Sequence, residues 1–307
     1  MRVLLFGGTQ FMGPHVVRRL LALGHDVTLF HRGEHEALPE VRHVHGDRAR
    51  IPRELEPELV IDMWCMTEAH AAAAKERFDG VRYVALSSGD VYRNYDGLQR
   101  HYDGEPDPAP LSEDAPLRER LYPYRHKESQ LGDWVRDYDK ILVERTLAGP
   151  RTTILRMPAV YGANDAQQRF YDWIDAMLRG DDVIAIDEAM AGWQWTRGYA
   201  VNCADAIVHA ALDDRAAGRT YNVGEIDAPP EKEWLRLLAR IANWNGRIER
   251  RESLGPPLDF RFHLHTDTRR IRDELGWREH VSRGEALDSL LRWRRGLDHD
   301  LLDRGLA

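Results

Sequence analysis

The 307-residue sequence contains only two cysteines, Cys65 and Cys203. That is too few for a disulfide framework, and a reduced, cytoplasmic setting is the expectation. It has no run of eighteen apolar residues, which excludes a membrane-spanning helix. A secretory leader is not expected either, because the opening apolar run "RVLLF" breaks at once into "GGTQ". Basic charge is not in excess: 43 Lys and Arg stand against 51 Asp and Glu, a net charge of -8. No footprint for nucleic acid is expected from that balance. Repeats and long low-complexity tracts are also missing. What is present is 43% hydrophobic residues, enough for the core of one two-lobed unit or two modest domains. The nine tryptophans read first as packing.

The first half alternates short apolar runs with helical spacing. Residues 3–6, residues 27–30, "VRHVHGD", "LVIDMW" and "RYVALSS" read as strands. Residues 16–23 carry Val16, Val17, Leu20, Leu21 and Leu23 at helical intervals, and "TEAHAAAAKERF" is a second helix. Strands alternating with helices imply an α/β fold built on a Rossmann-type, doubly wound parallel sheet. From 92 to 133 the pattern stops in a Pro- and acid-rich tract, "YDGEPDPAPLSEDAPLRERLYPY". Its length suits a lid or an active-site insertion. Periodicity resumes in "DYDKILVERTL" and "RTTILRM". The amphipathic "QQRFYDWIDAMLRG" follows, then strand, helix and strand in "TRGYAV", "CADAIVHAAL" and "TYNVGE". The tail segments "EKEWLRLLARIANW" and "EALDSLLRWRRGL" read as helices. The division this suggests is a nucleotide-binding domain over 1–160, to which 195–225 return. Residues 161–194 and 226–307 would form a smaller C-terminal α/β substrate lobe.

Gly7, Gly8 and Gly13 lie between the first strand and the first helix, the setting a dinucleotide fingerprint requires. One glycine permits the tight turn, one lets the backbone approach a pyrophosphate, and Gly13 lets helix and strand pack closely. The helix N-terminus then presents unpaired N–H groups and a positive dipole end to phosphate. Gln10 stands where such turns usually carry their middle glycine. The second strand ends in Arg32 rather than in the acid that would hold the ribose 2'-hydroxyl of NAD. A guanidinium there can grip a 2'-phosphate, so NADP(H) is favoured and NAD(H) remains open.

"GGTQFMG" resembles the GGTxFxG turn of the extended and atypical short-chain dehydrogenase/reductases, the NAD(P)-dependent epimerase/dehydratase family. "SSGDVY" resembles that family's serine strand end, "LSEDAPLR" its post-serine loop and "ILRMPAVYG" its LRPxxVYG segment. "TRGYAVNCADAIVHAAL", "YNVGE" and "DTRRIRDELGW" resemble its later elements, in the family's order. The resemblance covers nearly the whole chain. It implies a Rossmann-type fold and a small-molecule substrate, nucleotide sugars being one class. It leaves a homodimer open, through the "TEAHAAAAKERF" helix and the one beginning near Tyr138. Cofactor contacts would come from Gly7, Gly8, Thr9, Gln10, Phe11, Met12 and Gly13. Asp47 would sit by the adenine, Asp62 near the ribose path, and Lys140 on the nicotinamide ribose.

By the same resemblance Ser88 matches the catalytic serine, and Lys140 and Glu144 match the family's Lys and Glu. The family's tyrosine lies four residues before its lysine, but here that position is Arg136. Tyr138 is the nearest substitute. On a continuous helix Tyr138 and Lys140 would diverge by about 200°, and Tyr138 would join a packing stripe with Trp134, Ile141 and Leu142. Two arrangements rescue a catalytic pair: a helix that starts after Tyr138, or Tyr122 or Tyr124 from the lid with Lys127. Asp90, two residues beyond Ser88, is a candidate acid or base, or a turn cap. Asn164, Gln168, Arg169 and Arg197 are substrate-binding candidates, and Arg156 is an anion holder or an ion-pair partner. His43-x-His45 and His263-x-His265 alternate as on strands, but no third ligand is placed to complete a metal site, so none is expected. The activity expected is that of a reductase, epimerase or dehydratase. A non-catalytic dinucleotide sensor is the alternative that the broken Tyr/Lys spacing raises. RNA binding, through the GGTxFxG style of turn, is disfavoured by the charge.

Overall fold

The computed structural model describes residues 1–35, 38–131, 135–252 and 258–297. The elements run β1 (Arg2–Phe6), α1 (Gly13–Ala22), β2 (Asp26–His31), β3 (Arg42–His45), β4 (Leu59–Asp62), α2 (Glu68–Arg77) and β5 (Arg82–Ser88). There follow α3 (Arg93–Leu98), α4 (Glu128–Leu131), α5 (Lys140–Leu147), β6 (Thr152–Met157), β7 (Ala159–Tyr161), α6 (Tyr171–Arg179) and β8 (Val183–Asp187). The last part holds β9 (Arg197–Tyr199), α7 (Ala200–Leu212), β10 (Thr220–Asn222), α8 (Glu231–Ala242), β11 (Arg247–Arg251), α9 (Arg269–Leu275) and α10 (Arg283–Arg294). Seven strands form one sheet in the order β10-β6-β5-β4-β1-β2-β3. Every pairing in it is parallel. The fold class read from the sequence is the one found.

Parallel strands covered on both faces need apolar residues on both, and β4 and most of β5 are buried throughout. On one face α1 and α7 pack Val16, Val17, Leu20, Ile207 and Val208 against Leu5, Leu29 and Ile61. On the other, α2 and α5 pack Ala71, Ala74, Val143 and Leu147 against Phe6, Val60 and Ala85. A separate core joins α6, α8 and α10 through Phe170, Ile174, Trp234, Leu238 and Leu287. The tail divides between the two: Ile271 and Leu275 of α9, with Trp277, enter the sheet's core rather than the small lobe's. The small lobe also holds a parallel β8–β11 pair that the sequence reading left out. "RIERR" is mostly polar and exposed, so it carries no alternation to read.

The tract after β5 is not structureless. It contains α3 and α4, and it is tied to the sheet edge at Asn222, which is fully buried. The Asn222 side-chain amide donates to Leu111 O (3.0 Å) and Asp267 O (3.1 Å), and its oxygen accepts from the Tyr92 hydroxyl (2.6 Å). Its backbone N–H donates to Glu113 Oε1 (2.9 Å). No helix among the described residues is long and apolar enough to cross a membrane.

Candidate active site

The glycine turn has the conformation that phosphate binding demands. Gly7 (φ +84°) and Gly8 (φ +92°) both occupy the left-handed region, open to glycine at little cost. A Cβ on Gly13 would lie 2.3 Å from the Gly8 carbonyl carbon and oxygen, so only glycine lets the start of α1 close on the turn. Gln10 does not obstruct: its side chain is exposed, while its carbonyl accepts the Gly13 N–H at 2.9 Å. Among the described residues no backbone hydrogen bond engages the N–H of Phe11 or Met12. Two free donors beside a helix N-terminus fit a diphosphate. Gly13→Ala is expected to weaken dinucleotide binding by at least about tenfold and to lower stability by about 1–3 kcal/mol, the usual cost of overpacking. Calorimetric titration and a thermal melt check both.

The other cofactor candidates differ in fate. Arg32 follows β2 with its side chain 70% exposed, paired with Glu34 at 3.1 Å. Asp47 accepts the Ala49 N–H (2.9 Å) and caps the turn after β3. Asp62 is fully buried, and its oxygens are spent on Arg48 (2.7 and 2.5 Å), the Trp64 N–H (3.1 Å) and the Tyr83 hydroxyl (2.5 Å). The Arg48 guanidinium beside it holds its carboxyl below the usual range against the cost of burial. Asp62 is therefore a structural partner with no acceptor left over for a ribose hydroxyl. Trp64, 47% exposed, stands beside Gly7.

The spacing problem is resolved where α5 begins. Asp139 is its N-cap, in extended conformation, and accepts the N–H groups of Ile141 (2.8 Å) and Leu142 (3.3 Å). Lys140 is the first helical residue, and Tyr138 lies outside the helix, bridged to Thr67. The Lys140 ammonium consequently sits 5.9 Å from the Tyr138 ring centroid. It is buried and donates to Cys65 O (2.7 Å) and Leu86 O (2.9 Å). Of the packing stripe expected around Tyr138, Ile141 is buried and Leu142 half-buried, and Trp134 lies outside the described residues.

Asp90 is the hub of the site. Its Oδ2 accepts the hydroxyls of Tyr138 (2.8 Å) and Tyr124 (3.0 Å), while its buried Oδ1 has no hydrogen-bond partner. Burial pushes the Asp90 carboxyl up, and burial with the Asp90 charge pushes the Tyr138 phenol well up. Burial draws the Lys140 ammonium down. Ser88 ends β5, half-buried, with its Oγ accepting the Asp90 N–H (3.3 Å). The tract after β5 thus brings Tyr124 to Asp90 alongside Tyr138. Tyr122 instead gives its N–H to Asp139 (2.6 Å), and Lys127 reaches Gln99 (3.5 Å). Sequence reasoning missed Arg118, whose buried guanidinium grips Asp139 and donates to Asp90 O at 3.0 Å.

The arginines expected to hold an anionic substrate are already matched. Arg156 forms a two-pronged pair with Glu144 (3.0 and 2.8 Å), which also takes the Ser87 hydroxyl. It is an ion-pair partner. Arg197 is buried against Glu231 (2.6 Å), and Arg169 pairs with Asp165 (3.1 Å). Both guanidinium groups lie 5.5 Å from the Trp195 ring. Asn164 and Gln168 sit exposed, at positive φ, on the loop before α6.

The sheet order and the glycine turn define a class of fold, the Rossmann-type, doubly wound α/β fold. No family model matches the chain. It is 28% identical over 266 residues to the 2'-dehydrokanamycin reductase of Streptomyces kanamyceticus, covering 80% of this chain and 67% of that enzyme. Among solved structures, it resembles the UDP-glucose 4-epimerase of Thermotoga maritima, determined with UDP-glucose (TM-score 0.70, 18% identity, 96% of this chain and 99% of that one). It is also similar to a short-chain dehydrogenase/reductase superfamily protein of Agrobacterium tumefaciens with bound NAD (TM-score 0.69, 19% identity, 96% and 98%).

Proposed function

We propose that the chain is an NADP(H)-dependent oxidoreductase that acts at a carbinol or ketone carbon of a sugar. The observation that carries this reading is Tyr138, held ahead of the α5 N-cap, on Asp90 and beside Lys140. That arrangement supports the catalytic reading over the sensor, the alternative that the Tyr/Lys spacing raises. The amides of Phe11 and Met12 with Gly7, Gly8 and Gly13 would hold the diphosphate, and the third N–H of Lys140 the nicotinamide ribose. When bound, the nicotinamide supplies or accepts the hydride. The chain's own groups manage the proton. Burial and Asp90 keep Tyr138 protonated, which suits it to protonate a carbonyl oxygen as that oxygen gains charge. A proton taken up from solvent by the Asp90 carboxylate, whose pKa burial raises, would then pass to the Tyr138 phenolate. Ser88 would polarise the same oxygen.

A relative that is a 2'-dehydrokanamycin reductase, and a solved structure holding UDP-glucose, support a sugar. Between the two, the matched arginines favour a sugar without a diphosphate: Arg197 and Arg169 are already neutralised by Glu231 and Asp165. The test is consumption of NADPH or NADH, followed by absorbance, with keto-forms of amino sugars and with nucleotide sugars. Turnover on the amino-sugar ketones is expected. Tight binding of both dinucleotides with no turnover on either panel would return the reading to a sensor.

The preference for NADP(H) rests on Arg32. Its exposed guanidinium can leave Glu34 for a 2'-phosphate, and a hydrogen bond to a charged group contributes about 1.5–3 kcal/mol. Arg32→Ala is therefore expected to weaken NADPH by about 10- to 100-fold and to leave NADH unchanged, as read by fluorescence titration. Equal weakening of both would show that Arg32 does not read the phosphate.

A further inference from the structure

The pair His43-x-His45 lacked a third ligand in the sequence, and the fold provides one. Parallel pairing sets His31 of β2 opposite His45 of β3, with His43 two residues earlier on the same strand. One nitrogen from each of His31, His43 and His45 lies within 4.8 Å of those of the other two. Among the described residues this is the one group of three such side chains that gathers so closely. We propose that these three imidazoles form a binding site for a borderline divalent cation of the zinc type, and that its occupation opposes dinucleotide binding.

Hydrogen bonds fix the protons before any metal arrives. The Gly33 N–H donates to His31 Nδ1 (3.1 Å), so the His31 proton is on Nε2 and donates to His43 Nδ1 (2.8 Å). The His43 proton is then on Nε2, which donates to Leu38 O (3.0 Å). His43 is thus already in the state a metal ligand needs. Its Nδ1 lone pair faces the cluster, and its other N–H is held by a backbone carbonyl. Zinc–imidazole bonds of about 2.0–2.1 Å in tetrahedral geometry require ligand nitrogens about 3.4 Å apart. The His31–His43 spacing of 2.8 Å is below that value, and no pair in the cluster exceeds 4.8 Å. Ring rotations close the difference. A fourth position stays open to water.

The opposition to dinucleotide follows from His31. Coordination through Nε2 moves its proton to Nδ1, where it meets the Gly33 N–H donor head-on. Gly33, at φ +85°, must then turn away. Gly33 follows Arg32 at the end of β2, the strand end on which this fold seats the adenosine ribose. Metal binding therefore disturbs the turn that the cofactor uses.

Calorimetric titration of the full chain with zinc chloride tests the site. One zinc per chain is expected, weakened about 10- to 100-fold in His43→Ala and in His45→Ala and unchanged in His263→Ala. Thermal melts of each variant confirm folding. NADPH affinity should fall severalfold with zinc present, and that fall should vanish in His45→Ala. Absence of zinc heat, or heat that persists in both cluster variants (an adventitious ion only), overturns the site. Unchanged NADPH affinity in the zinc-loaded wild type overturns the opposition. NADPH binding and turnover in zinc-free protein are read separately, so failure here leaves the proposed activity untouched.

Discussion

Tyr138→Phe is expected to lower kcat by about 10²- to 10⁴-fold, the usual contribution of a positioned proton donor, with dinucleotide affinity unchanged. The substitution removes one oxygen and leaves the ring packed 5.1 Å from Tyr124. Asp90 keeps the Tyr124 hydroxyl at 3.0 Å, so little of the loss can come from unfolding. Steady-state rates with cofactor titration separate the two quantities. Turnover within twofold of wild type would remove Tyr138 from the chemistry. Tyr124→Phe then decides whether the lid tyrosine donates instead, since both hydroxyls meet at the same Asp90 oxygen.

Arg118→Leu is expected to cost about 3–5 kcal/mol of stability, the penalty for stranding a buried charge, and to lower Tm by roughly ten degrees. The side chains of Arg118 and Asp139 are both fully buried. Arg118 donates to both Asp139 oxygens, at 3.2 and 3.0 Å. Without it the Asp139 carboxylate remains buried with only backbone donors: Tyr122, Ile141 and Leu142. Because Asp139 also caps α5, the variant should loosen Tyr138 and Lys140 and lose activity along with stability. Adding Asp139→Asn removes the stranded charge and should recover part of Tm. A melting curve identical to wild type would mean that water reaches the pair.

The sheet was legible because β1, β2, β4 and β5 are short, largely apolar runs followed by a helix or a turn signal. The small lobe's β8–β11 pair was not, since its polar strand is chosen by a neighbour distant in sequence. At the site, the answer to the Tyr/Lys spacing was present in the residues. Asp139 is a strong N-cap type directly before "KILVE", and reading it as the cap places Tyr138 outside the helix. The environment of Asp62 was hidden, because Arg48 and Tyr83 reach it only once β3, β4 and β5 are aligned. The third histidine was hidden for the same reason: alternation along one strand does not say which residue of the next strand stands opposite.

Asn222 gives the insertion after β5 an anchor. Leu111 and the Tyr92 hydroxyl, both from the 92–133 tract, and Asp267 from the tail meet at one amide on the outermost strand of the sheet. Two stretches far apart in sequence are thus pinned by a single side chain, and a change at that side chain unseats both together.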